Sequence, residues 1–153
     1  MGGVPSAVFH HGPWGNRAAL TVADFDGDGD LDVYVTGNIE TLEGPRHVCA
    51  PDMLLVNDGE GRFTDVAPEL GTDSAGCGLA VVTHDVYDDG EPDVLVVNEF
   101  GRFVLPNRLF RNDGPSGAAA LSFSERSAEL GFDNRLYGMG VAVGDLDADG
   151  RGD

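Results

Sequence analysis

Three stretches of the chain gather aspartates at alternate positions: "DFDGDGDLD" from Asp24, "DVYDDGEPD" from Asp85 and "DLDADGRGD" from Asp145. In the first, Asp24, Asp26, Asp28 and Asp32 stand at positions 1, 3, 5 and 9 of a loop, with Gly29 at position 6. Alternate carboxylates in a tight loop converge on one point, and the glycine permits the sharp turn that aims the position 7 carbonyl, here that of Asp30, inward. Hard oxygen donors in this number suit Ca²⁺, which accepts about 6 to 8 of them, better than Mg²⁺ with its strict octahedron. The spacing opens like an EF-hand loop, but the twelfth residue, which there must be Glu, is Val35, and Val96 in the second copy. The Asp at position 9 is therefore expected to close the cage.

The copies are unequal. In the second, Tyr87 stands at position 3, which leaves Asp85, Asp89, the Glu91 carbonyl and Asp93, with Asp88 nearby, and predicts weaker binding. The third has the full set: Asp145, Asp147, Asp149, the Arg151 carbonyl and Asp153. Solvated acidic turns are the plain alternative, because Asp and Gly are common in turns without any metal. Three copies in register argue against it, since like charges a few Å apart repel unless a cation lies among them.

The first acids of the clusters are 61 and 60 residues apart, and other landmarks keep the same time. Phe63 and Phe123 are 60 apart, as are the Leu-Gly pairs at 70–71 and 130–131. The Asn-Asp-Gly turns at 57–59 and 112–114 are only 55 apart, so the second hairpin carries five extra residues in its loop. Each repeat reads as four short strands. One runs into the acidic loop (79–83, 141–144) and one leaves it (31–36, 93–98). A third reaches the Asn-Asp-Gly turn (53–57, 108–112), a hairpin signal because Asn and Gly tolerate positive φ. The fourth follows it (62–66, 121–126). "VAPELG" and "RSAELG" allow one helical turn each.

Four antiparallel strands repeated every 60 residues or so is the pattern of β-propeller blades. The expected fold is all-β and an incomplete propeller of about two and a third blades: an N-terminal segment 1–14, blade 1 at 15–71, blade 2 at 72–131, and the start of blade 3 at 132–153. A propeller needs at least four blades to close and each blade buries its faces against neighbours, so further blades of a longer chain are expected. The 27 acidic and 9 basic residues give a net charge of −18, which disfavours nucleic acid and anionic membrane surfaces. The longest apolar runs hold four or five residues, against the roughly 20 that a membrane-spanning helix needs. The first 15 residues show no secretory signal.

The D-x-D-x-D-G-x-x-D loop between two strands, followed by "LLVNDGEGRFTDVAPELG", resembles the FG-GAP/VCBS repeats of integrin-like β-propellers, most of all their cartilage-acidic-protein branch. The resemblance runs from about Gly15 to Asp153. It implies a calcium-stabilised propeller, usually extracellular, secreted or at the cell surface, that serves adhesion or protein or glycan binding and is not an enzyme. Two alternatives stay open: a propeller platform within a larger polysaccharide-acting enzyme, and a purely structural surface repeat. Tyr87 and the lack of literal Phe-Gly and Gly-Ala-Pro sequences depart from the pattern.

The strand trace puts the acidic loops and Asn-Asp-Gly turns on one face of the disc. The loops around 38–52, 71–77 and 98–107 lie on the other, which brings Cys49 and Cys77 to the same face as either a disulfide or two thiols. His10, His11, His47 and His84 could join the cysteines around zinc, but their spacing fits no known pattern and ordinary surface histidines are the plainer reading. Trp14, Phe100 and Phe103 suit packing between blades, or a carbohydrate platform. The terminal Arg151-Gly152-Asp153 spells an adhesion tripeptide, yet it falls at positions 7 to 9 of the third loop, where its Asp is expected to hold metal.

Overall fold

A computed structural model of the chain describes residues 15–43, 46–116 and 121–152. In chain order the elements are β1 (Arg17–Ala23), β2 (Asp32–Gly37), β3 (Ile39–Glu43), β4 (Arg46–Cys49), β5 (Met53–Asn57), β6 (Phe63–Asp65), α1 (Ala67–Leu70), β7 (Gly78–His84), β8 (Asp93–Asn98), β9 (Arg108–Asn112) and β10 (Phe123–Glu125). They form two antiparallel four-stranded sheets, ordered β1-β2-β5-β6 and β7-β8-β9-β10, and one two-stranded hairpin, β3-β4. These sheets are the two expected blades, with strand boundaries within a residue or two of those read from the repeat. Their registers repeat as well: β1 meets β2 through Val22 and Val33, while β7 meets β8 through Thr83 and Val94. Each first strand shifts register near its start, between Arg17 and Leu20 and between Gly78 and Ala80.

Alternation along the strands sends one face of each sheet toward the other. The shared core combines Phe25, Tyr34, Leu54 and Ala67 of blade 1 with Val94, Val96, Phe110 and Leu121 of blade 2. Tyr34 lies against Phe110 with ring centroids 6.4 Å apart, and Phe25 meets Phe123 edge-on at 6.1 Å. Burial of such side chains contributes about 1.5–3 kcal/mol apiece, so the contact between blades, rather than either sheet alone, holds this core. The two first strands also join through Thr21 Oγ1 and Thr83 Oγ1, 2.8 Å apart. On the outer side of β1, by contrast, Leu20 and Val22 stay more than half or half exposed, at 59% and 50%.

Two expectations are corrected. The segment 38–52 is not a plain loop: Ile39–Glu43 and Arg46–Cys49 pair as the β3-β4 hairpin, an insertion absent from blade 2. Residues 141–144 form no strand. In both complete blades the first strand exists by pairing with the second strand of the same sheet, and among the described residues no strand pairs with 141–144.

Cys49, at the end of β4, is bonded to Cys77, just before β7, with Cα atoms 5.1 Å apart. This disulfide fastens the blade 1 insertion to the entrance of blade 2. It also removes both thiols from any zinc site. His47 packs instead against Phe100 at 4.3 Å and Phe103 at 6.2 Å, and Tyr137 of the third repeat closes the cluster at 6.3 and 6.1 Å from the two phenylalanines. Phe100 and Phe103 thus meet rings from the neighbouring repeats, although Phe103 remains 62% exposed. His10, His11 and Trp14 lie outside the described residues.

Candidate metal centre

All three acidic loops have the same backbone. Position 6 is Gly29, Gly90 or Gly150 with φ of 95°, 90° and 90°. Position 4 is also left-handed, at 73° for Gly27, 58° for Asp88 and 62° for Ala148. The position 1 carboxylate accepts the position 6 N–H at 2.9, 2.8 and 2.9 Å, from Gly29 to Asp24, Gly90 to Asp85 and Gly150 to Asp145. The position 5 carboxylate accepts the position 7 N–H at 2.9, 3.1 and 2.9 Å, from Asp30 to Asp28, Glu91 to Asp89 and Arg151 to Asp149. These bonds fix the loop so that alternate side chains turn to one side.

Position 9 ties the loop to the sheet in both complete blades. Asp32, fully buried, accepts the N–H of Phe25 on one oxygen and that of Asn57 on the other, each at 2.9 Å. Asp93, equally buried, does the same for Val86 and Asn112, each at 2.8 Å. These carboxylates tie the loop to the hairpin strand that follows. The position 7 side chains lean on the Asn-Asp-Gly turn: a Cβ on Gly59 would come within 2.5 Å of Asp30 Oδ2, and one on Gly114 within 3.2 Å of Glu91 Oε1. Both glycines have positive φ, 73° and 67°, which favours glycine at these turns.

In the first loop, Asp24, Asp26 and Asp28 bring carboxylate oxygens within 4.8 Å of one another, and Asp145, Asp147 and Asp149 do so in the third. Asp24 Oδ1 is removed from solvent and accepts no hydrogen bond, which leaves a buried carboxylate oxygen of this cluster without a donor. Burial raises the pKa of Asp26, and the charges of Asp32, Asp28 and Asp24 add to the rise against the Asp28 N–H. A hard cation answers this donor set, and the residues present fit Ca²⁺. The loop is buttressed from the next blade, because Asn112 Nδ2 donates to the Phe25 carbonyl at 2.8 Å.

The second loop brings no such trio together. Tyr87 fills position 3, Arg111 donates to Asp89 at 2.9 Å, and its guanidinium lies 4.3 Å over the Tyr87 ring. The hydrogen bond from Arg111, ahead of the Glu91 N–H, lowers the pKa of Asp89. Neither Arg111 nor its contact was expected from sequence; the available signal was its place in the repeat, where blade 1 has Val56. The third loop is exposed, and its Arg151 Nε lies 3.9 Å from Asp88 of the second. Asp153 lies outside the described residues.

Face-packed four-stranded antiparallel sheets, each with an acidic loop joining its first two strands, define an incomplete β-propeller. Residues 85–153 match the family model of the FG-GAP-like repeat, and blade 1 has the same kind of loop and sheet. The chain is similar to cartilage acidic protein 1 of Mus musculus and of Homo sapiens, each 27% identical over 138 residues, and to that of Xenopus tropicalis, 26% identical over the same length. The match takes in 88% of this chain and 20% of each relative, so the chain spans about a fifth of their length.

Proposed function

We propose that the chain is a non-catalytic, Ca²⁺-binding β-propeller module that works outside the cytoplasm and offers a loop face to a protein or glycan. The observation that carries the calcium reading is the first loop, where three carboxylates converge and a buried oxygen of Asp24 lacks a donor. Calcium there would be structural, neutralising the loop and holding the first two strands of its blade together. The Asp24, Asp26 and Asp28 carboxylates and the Asp30 carbonyl would supply it, with Asp32 fixing the loop from behind. The third loop would bind in the same way through Asp145, Asp147, Asp149 and the Arg151 carbonyl, with Asp153 in the place of Asp32.

The similarity to FG-GAP-like repeats supports a binding module over an enzyme, and the Cys49–Cys77 bond suits an oxidising, extracellular setting. Further blades of the same polypeptide would cover the outer face of β1. Equilibrium dialysis against calcium tests the reading: Asp28→Asn should remove one bound ion per chain, and an unchanged count would refute it.

A further inference from the structure

We propose that the second acidic loop takes no calcium, because Arg111 is its resident cation. The inference rests on the calcium reading of the first loop and departs from it at one blade. The two loops share a backbone, so a difference in occupancy must come from side chains. In the second loop all six oxygens of the aspartates at positions 1, 5 and 9 already have donors. Asp85 accepts the N–H groups of Asp89 and Gly90, at 3.1 and 2.8 Å. Asp89 accepts the Glu91 N–H at 3.1 Å and the Arg111 guanidinium at 2.9 Å. Asp93 accepts those of Val86 and Asn112. The first loop differs in that Asp24 Oδ1 is buried without a donor and, among the described residues, no arginine pairs with Asp28 as Arg111 does with Asp89.

The two substitutions that set blade 2 apart act together. Tyr87 stands where the first loop has Asp26, and Arg111 where β5 has Val56. Tyrosine removes a carboxylate and presents a ring face, on which the guanidinium stacks while it reaches Asp89 and lies 3.6 Å from Asp113. A guanidinium between a π face and a carboxylate is an attractive arrangement on both counts. It also places fixed positive charge at the carboxylate that a metal would need, which repels a dication. Glu91 and Asp88 do not restore the site: Glu91 leans on Gly114, and Asp88 faces Arg151 of the third repeat at 3.9 Å.

Calcium counted by equilibrium dialysis on the full natural polypeptide tests this. Asp85→Asn keeps an oxygen for the Gly90 N–H, so the loop should fold, and the count should stay at the wild-type value; loss of one ion would overturn the proposal. Converting the loop to its blade 1 counterpart with Y87D and R111V together should add one ion per chain, and an unchanged count in a variant with wild-type near-ultraviolet circular dichroism would equally overturn it. Asp28→Asn separates the two readings. If it loses one ion and Asp85→Asn also loses one, only the assignment of Arg111 fails; if it loses none, the calcium reading fails and takes this inference with it.

Discussion

Asp52 shows how one residue can work against the fold that holds it. It lies buried between β4 and β5, where Oδ1 accepts the Gly37 N–H at 2.7 Å and Oδ2 lies 2.9 Å from the Tyr34 hydroxyl. Burial raises its pKa to about 7, with the Gly37 N–H, the Tyr34 hydroxyl and Arg17 opposing and Asp73 adding to the rise. A folded pKa above the unfolded one means that the folded state binds the proton more tightly. Its contribution is fully present below about pH 4 and is lost as pH rises through about 7, a difference of at most about 4 kcal/mol. The equivalent residue of blade 2 is Asn107, whose Oδ1 accepts the Asn98 N–H at 3.0 Å in the same way without any charge. Asp52→Asn should therefore stabilise the protein at pH 8 by roughly 1–3 kcal/mol and flatten the dependence between pH 4 and 8. Denaturant titration at the two pH values measures this, and equal destabilisation at both would contradict it. At this scale the convergence of the acids in the first and third loops could be read from sequence because their spacing is local. Arg111 and Asp52 could not, since each acquires its meaning from a partner that only sheet pairing brings near.

At the scale of elements, the blade strands were legible because β-branched alternation, Asn-Asp-Gly turns and a 60-residue repeat all pointed the same way. The β3-β4 hairpin was not, because it occurs once and has no repeat to mark it, and the third repeat's first strand failed because a strand is a property of a pair. The hairpin is held by the Cys49–Cys77 bond, which closes a separation of 28 residues. The loop-entropy argument gives such a link roughly 3–4 kcal/mol. Reduction, or C49A with C77A, should lower the melting temperature accordingly, and the readout is calorimetry with and without reductant. The contact from Asn112 to the first loop makes a second prediction. Asn112→Ala leaves the Phe25 carbonyl buried without its donor and should cost about 1–3 kcal/mol. It should also weaken calcium binding in the neighbouring blade, as titration calorimetry would register.

For the molecule as a whole, the blades are held by a core that neither owns, and the outer face of β1 carries the exposed apolar side chains Leu20 and Val22. Asp32 and Asp93 pin their loops to the hairpins through backbone hydrogen bonds, whereas the Asp24 cluster gathers charge that lacks a donor at Asp24 Oδ1. Calcium is thus expected to add stability to a scaffold already shaped for it, by about 2.7 kcal/mol per site at a concentration one hundred times the dissociation constant. Differential scanning calorimetry of the full polypeptide, in calcium and then in excess chelator, tests this most directly. A melting temperature that falls on chelation and returns when calcium is restored is the predicted result; the same temperature in both would contradict a structural role for calcium in these loops.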